Sequence, residues 1–116
     1  DESVDSLARL RVPFRQQGDH LASQSFAATA ETIVLAARGD LEGAEDRARA
    51  VIAMVADAEW PAAQGDARME LARVLRAAGR PSEAEQVSRE ALALYERKGD
   101  RPSVDAAMTF LDELGP

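Results

Sequence analysis

The chain has 116 residues, of which 46% are hydrophobic and 30% charged, as expected of one globular domain with a modest core. Its net charge of −7 argues against a nucleic-acid module, which needs a basic face for phosphates, and equally against an anionic membrane surface. The absence of cysteine removes disulfides, thiolate catalysis and cysteine-based zinc sites.

No apolar run approaches the roughly 18 residues of a membrane span, and no signal peptide is visible, so the expected compartment is the cytoplasm. Aromatic residues make up only 4% of the chain while alanine is abundant, which predicts helices in close approach around a thin Ala, Leu and Val core.

Five to six helices are predicted. A short one over 3–12 ends before Pro13, which would remove a hydrogen bond and clash inside a helix. Residues 13–19 then read as a connection or a distorted last turn, with Gly18-Asp19 as a turn. A second helix is expected over 20–38, closed by Gly39 in the left-handed conformation. Asp40 is a good N-cap for a third over 41–57. Trp60-Pro61 marks the next turn, and Pro61 suits the first position of a helix over 61–78. Gly79 closes that helix, and the next runs over 81–98. Arg80 is a poor N-cap, so either Ser82 caps this helix or Pro81 takes its first position. Gly99-Asp100 precedes a last helix over 102–114.

Apolar spacing supports these helices. Leu71, Ala72, Leu75 and Ala78 keep a three-to-four rhythm, as do Ala84, Val87, Ala91 and Leu94. Glu45–Arg49 and Glu85–Arg89 are i,i+4 pairs in the favourable order, each stabilising by roughly 0.2–0.5 kcal/mol. No segment alternates with period two, so no strand is expected.

The chain also repeats itself. Residues 22–53 lie over 62–93 without a gap, a spacing of 40 residues. Beyond five alanines, the pairs Gln24/Gln64, Val34/Val74, Leu35/Leu75, Gly39/Gly79, Glu45/Glu85 and Arg49/Arg89 are identical. A repeat of this length predicts an all-α, right-handed solenoid of antiparallel helical hairpins, each burying its apolar face on the next. Ala44 and Ala84 are then matched close helix contacts. Extended to both ends, the register divides a single domain over 1–116 into a half repeat 1–19, repeats 20–59 and 60–99, and a half repeat 100–116. It predicts a fragment of a longer protein.

The residues offer no catalytic, cofactor or metal site. His20 is a lone histidine without ligating partners. Glu42, Glu45, Asp46, Glu83 and Glu85 lie in first turns, where the helix dipole favours negative charge, and neither turn has a calcium-loop pattern. The candidate interaction surface is the one lined by the first helix of each hairpin. Taken opposite the Leu/Ala seam, it comprises Phe26, Thr29 and Ile33 in one unit and Asp66, Met69, Arg73 and Arg76 in the next. Phe26 and Ile33 could equally be core, and Arg73 and Arg76 could pair with Glu70 or face water. Trp60, the only tryptophan, is either a plug over the junction between hairpins or an exposed anchor for a partner.

Leu71-Ala72, Leu75, Gly79, Ala84 and Ala91 resemble the signature positions of tetratricopeptide repeats, here with longer helices or connections than the usual repeat. The stretches 36–45, 70–81 and 90–100 are similar to the helical-repeat tails of large bacterial signalling proteins that join a class III nucleotide cyclase or transcription-factor domain to an ATPase. Asp105, Asp112 and Glu113 make the last helix more acidic than in those tails. The resemblance implies a non-catalytic, protein-binding tail, since no Gly-x-x-x-x-Gly-Lys loop is present. Its partner would be another protein or the ATPase domain of the same chain. The alternatives are a spacer or a homodimer formed through the apolar repeat ends, and more remotely a nucleotide- or small-ligand-sensing domain.

Overall fold

A computed structural model describes residues 14–115, with side chains from Leu21 onward. The described residues form helices α1 (Phe14–Ala37), α2 (Leu41–Val55), α3 (Pro61–Ala77), α4 (Pro81–Lys98) and α5 (Arg101–Leu114), with no strand among them. The helix expected over 3–12 lies outside the described residues.

Three of the turns share one chemistry. Gly39, Gly79 and Gly99 adopt φ of 85°, 77° and 78°, a left-handed conformation open to glycine at little cost. In each, the residue after the glycine donates its amide to the carbonyl five residues earlier. Asp40 reaches Leu35 at 2.9 Å, Arg80 reaches Leu75 at 2.9 Å and Asp100 reaches Tyr95 at 3.1 Å. Asp40 then caps α2 by accepting from the Gly43 amide at 2.9 Å, and Asp100 caps α5 by accepting from the Ser103 amide at 3.4 Å and from its Oγ at 2.8 Å.

The connection from α2 to α3 has no glycine and is closed by a side chain. Gln64 Nε2 donates to the carbonyls of Val55 at 3.1 Å, Ala56 at 3.3 Å and Ala58 at 2.6 Å, pinning the start of α3 to the end of α2. Pro61 opens α3 and Pro81 opens α4 at positions where a missing amide costs nothing, and Ser82 is not a cap.

Two expectations are corrected. The turn at Gly18-Asp19 and the connection over 13–19 do not interrupt the chain there, because α1 is continuous from Phe14 to Ala37. One interior glycine costs a helix only about 1 kcal/mol relative to alanine, which the rest of a 24-residue helix outweighs. Ala78, expected to continue the apolar seam, is exposed because α3 ends at Ala77 and the chain turns away. The ends of the other helices differ from expectation by at most two residues.

The packing is that of antiparallel hairpins in series. α1 packs on α2, and α3 packs on α4 over the largest contact; α2 on α3 and α4 on α5 join the units. α1 also touches α3 directly, though more slightly. The result is an elongated slab of 52 × 34 × 18 Å. This is an all-α, tetratricopeptide-like helical repeat.

The core is thin, as the composition requires. Its main cluster joins Met69, Leu71, Ala72 and Leu75 of α3 to Ala84, Ala91 and Tyr95 of α4, and to Val104, Ala107 and Phe110 of α5. A smaller cluster of Ala28, Val51, Val55 and Ala67 ties α1 and α2 to α3. Ala44 and Ala84, matched across the repeat, are both wholly buried. The buried hydroxyls of Thr32 and Ser88 donate to the carbonyls four residues back, Ala28 at 3.0 Å and Ala84 at 2.7 Å, so neither carries an unmet donor.

Candidate functional site

The two first helices of the hairpins, α1 and α3, leave a groove of about 470 Å³ between them. Ala22, Ser25, Phe26 and Thr29 form the α1 wall; Ala62, Ala63, Asp66, Met69, Glu70 and Arg73 form the α3 wall. Val51, Ala67 and Tyr95 lie at the back and Trp60 at one end. A second depression of about 340 Å³ contains Thr32, Ile33, Ala36 and Val74 and shares Glu70 and Arg73 with the first.

Of the eight candidate residues, Phe26, Thr29, Trp60, Asp66, Met69 and Arg73 therefore meet at one groove, and Ile33 lines the adjoining depression. Arg76 lies in neither. Its guanidinium stacks on the ring of Phe110 at 4.4 Å, which ties α3 to α5. Met69 is only 4% exposed and belongs to the core, so it forms floor and offers no projecting contact. Phe26 and Ile33 are not core: they are 78% and 53% exposed. Trp60 is half-buried and lines the groove.

The two walls differ in chemistry. Phe26 and Ile33 of α1 are matched in the repeat by Asp66 and Arg73 of α3, so an apolar wall faces a charged one. Arg73 is already engaged, donating to Glu70 at 2.6 Å across one helical turn. Asp66 accepts a hydrogen bond from the Tyr95 hydroxyl at 2.5 Å.

Tyr95 is the residue sequence reasoning missed. It is buried against α3 where Gly65 has no side chain; a Cβ there would come within 2.6 Å of the ring. Burial first, and then the Asp66 hydrogen bond, push the phenol well above its ordinary value of 10.0, so it stays a neutral donor. The bond holds the Asp66 carboxylate at the groove edge. The only signal in the chain is the juxtaposition of its one tyrosine with a glycine inside a helix, and sequence spacing does not reveal that they touch.

Two glutamates of the acidic first turns are held in ion pairs. Glu45 is occupied by Arg49 at 2.9 Å and by Arg80 at 2.6 Å, and Glu85 by Arg89 at 2.8 Å. Among the described residues no three His, Asp or Glu side chains converge as metal ligands. None of the described helices is long and apolar enough to cross a membrane.

The family model of the tetratricopeptide repeat matches residues 65–98, which comprise α3 from Gly65 onward and all of α4. That hairpin contributes Asp66, Glu70, Arg73 and Tyr95 to the groove. Repeats of this kind generally mediate contacts between proteins and are generally non-catalytic. Neither the curated proteins nor the solved structures give a match to the chain.

Proposed function

We propose that the chain is a non-catalytic interaction domain whose α1–α3 groove holds a segment of another protein. The observation that carries this is Phe26, a large aromatic 78% exposed on the wall of a groove that has a half-buried tryptophan at its end. Exposed aromatics beside a preformed concavity are the usual anchors of protein interfaces. The tetratricopeptide match to the hairpin that forms the opposite wall supports the same reading. The test compares partners captured by the wild type and by Phe26→Ala. A partner lost from the variant supports the groove, and one retained at equal strength removes it.

The finer placement is a cytoplasmic, C-terminal tail of a bacterial signalling ATPase, docking on a partner or on the ATPase domain itself. It rests on the resemblance of stretches 36–45, 70–81 and 90–100 to such tails. The natural reading frame tests it. A nucleotide-binding domain with a phosphate loop upstream supports the placement, and its absence overturns it.

Self-association is the second reading, favoured by the exposure of Ile33 and Val34 on α1. Sedimentation across the micromolar range distinguishes the two. A monomer at all concentrations rejects the homodimer and leaves the groove for a different protein.

A further inference from the structure

We infer that the α1–α3 groove takes a peptide segment in which an arginine or lysine adjoins an aromatic or large aliphatic side chain. This rests on the groove being the docking surface proposed above and names the chemistry of its occupant. The apolar half of the occupant follows from Phe26 and Trp60, which present aromatic surface to a groove of about 470 Å³, room for a large side chain and part of a second.

The cationic half follows from charge. Among the described residues the groove holds two carboxylates, Asp66 and Glu70, and one guanidinium, Arg73, for a formal balance of −1. The guanidinium is committed to Glu70 at 2.6 Å. Among the described residues Asp66 is partnered by the neutral phenol of Tyr95, which orients the carboxylate without cancelling its charge. An acidic segment would meet that charge with Arg73 already engaged. A basic one pairs with Asp66 and can stack on an aromatic face, an arrangement the molecule already makes internally between Arg76 and Phe110 at 4.4 Å. The net charge of −7 acts in the same direction at long range, steering cationic segments in and repelling anionic ones.

The test is a selection of random dodecapeptides displayed on phage against the immobilised full chain, with Phe26→Ala and Asp66→Asn chains selected in parallel. Both variants retain the fold on physical grounds: Phe26 is exposed, and asparagine still accepts from Tyr95. Enriched peptides are then synthesised and titrated, with Trp60, the only tryptophan, as the fluorescent reporter inside the groove.

The expected winners pair Arg or Lys with an apolar neighbour. They lose about tenfold or more in affinity on Phe26→Ala and about fivefold on Asp66→Asn, and the Asp66 loss shrinks at high salt. Winners that depend on Phe26 but are neutral or acidic overturn the cationic preference and leave the groove standing. Basic winners indifferent to both substitutions report only general attraction to an acidic surface and overturn the inference. No enrichment over the Phe26→Ala chain overturns the groove reading and the inference together.

Discussion

Helices α1 and α3 hold the same place in successive hairpins, yet they live in different surroundings. Val34 and Val74 are identical and in register, but Val34 is 47% exposed and Val74 only 3%. Leu35 is half-buried where Leu75 is wholly buried. α3 packs against α2, α4 and, more slightly, α1, whereas among the described residues α1 packs chiefly on α2. The repeated sequence therefore sets which residues face the seam, while the place in the stack sets how much of that seam is covered. The same contrast makes the groove: identical geometry presents Phe26 from one helix and Asp66 from the next.

The widest separation between the two helices is expected at the matched leucines. Leu75→Ala should cost about 2–5 kcal/mol, as for a fully buried leucine whose site cannot collapse. Leu35→Ala should cost about 1–2 kcal/mol because part of its surface is already wet. Urea unfolding of the two variants measures both. Equal losses would mean that α1 is as enclosed as α3 and would break the comparison. Where the hairpins agree, the costs should agree. Ala44→Leu and Ala84→Leu should each destabilise by about 1–3 kcal/mol through overpacking, since both positions are wholly buried. Variants that both melt like the parent would overturn the hairpin register.

A smaller effect concerns a pair that the repeats solve differently. Gly65 and Tyr95 of the second unit are matched by Ser25 and Val55 of the first, all four buried. A large ring against no side chain in one unit corresponds to a smaller branched residue and a hydroxyl in the other. Gly65→Ser should cost about 1–2 kcal/mol because its Cβ meets the Tyr95 ring. In a Tyr95→Val background the same change should cost less, with a coupling of at least about 0.5 kcal/mol. Additive losses in the double variant would show that the ring and the glycine are independent.

Much of this was legible in the residues because helix ends are local chemistry. Gly39, Gly79 and Gly99 each announce a left-handed stop, Asp40 and Asp100 a cap, and Pro61 and Pro81 a start. Gly18-Asp19 carries the same letters as Gly99-Asp100 and makes no turn, because a stop signal is a preference of about 1 kcal/mol that a longer helix can override. The candidate face was legible in outline, since register alone brought Phe26, Thr29, Asp66 and Arg73 to one groove. Tyr95 and the capture of Arg76 by Phe110 were not, because each depends on a neighbouring helix that period and spacing within one helix do not describe.

The smallest expected difference is electrostatic and lies at matched glutamates. Glu45 and Glu85 each bind the arginine one turn on, at 2.9 and 2.8 Å. Glu45 alone also reaches across hairpins to Arg80, which stands at the position of Asp40 in the other unit and also pairs with Glu83. Arg80 first and Arg49 second hold the Glu45 carboxyl below its ordinary value of 4.5. A carboxyl whose folded value is depressed stabilises the fold above the unfolded value. That stabilisation is lost as pH falls below about 4.5 and on through the folded value. Glu45→Gln should thus cost about 0.5–1 kcal/mol at neutral pH and almost nothing in strong acid, whereas Glu85→Gln should cost only about 0.2–0.5 kcal/mol. Urea titrations at both pH values, repeated in high salt, measure the difference. The Glu45 loss should exceed the Glu85 loss at neutral pH and fall away in acid. Identical losses for the two glutamates would mean that Arg80 adds nothing, and that the link between hairpins rests on apolar packing alone.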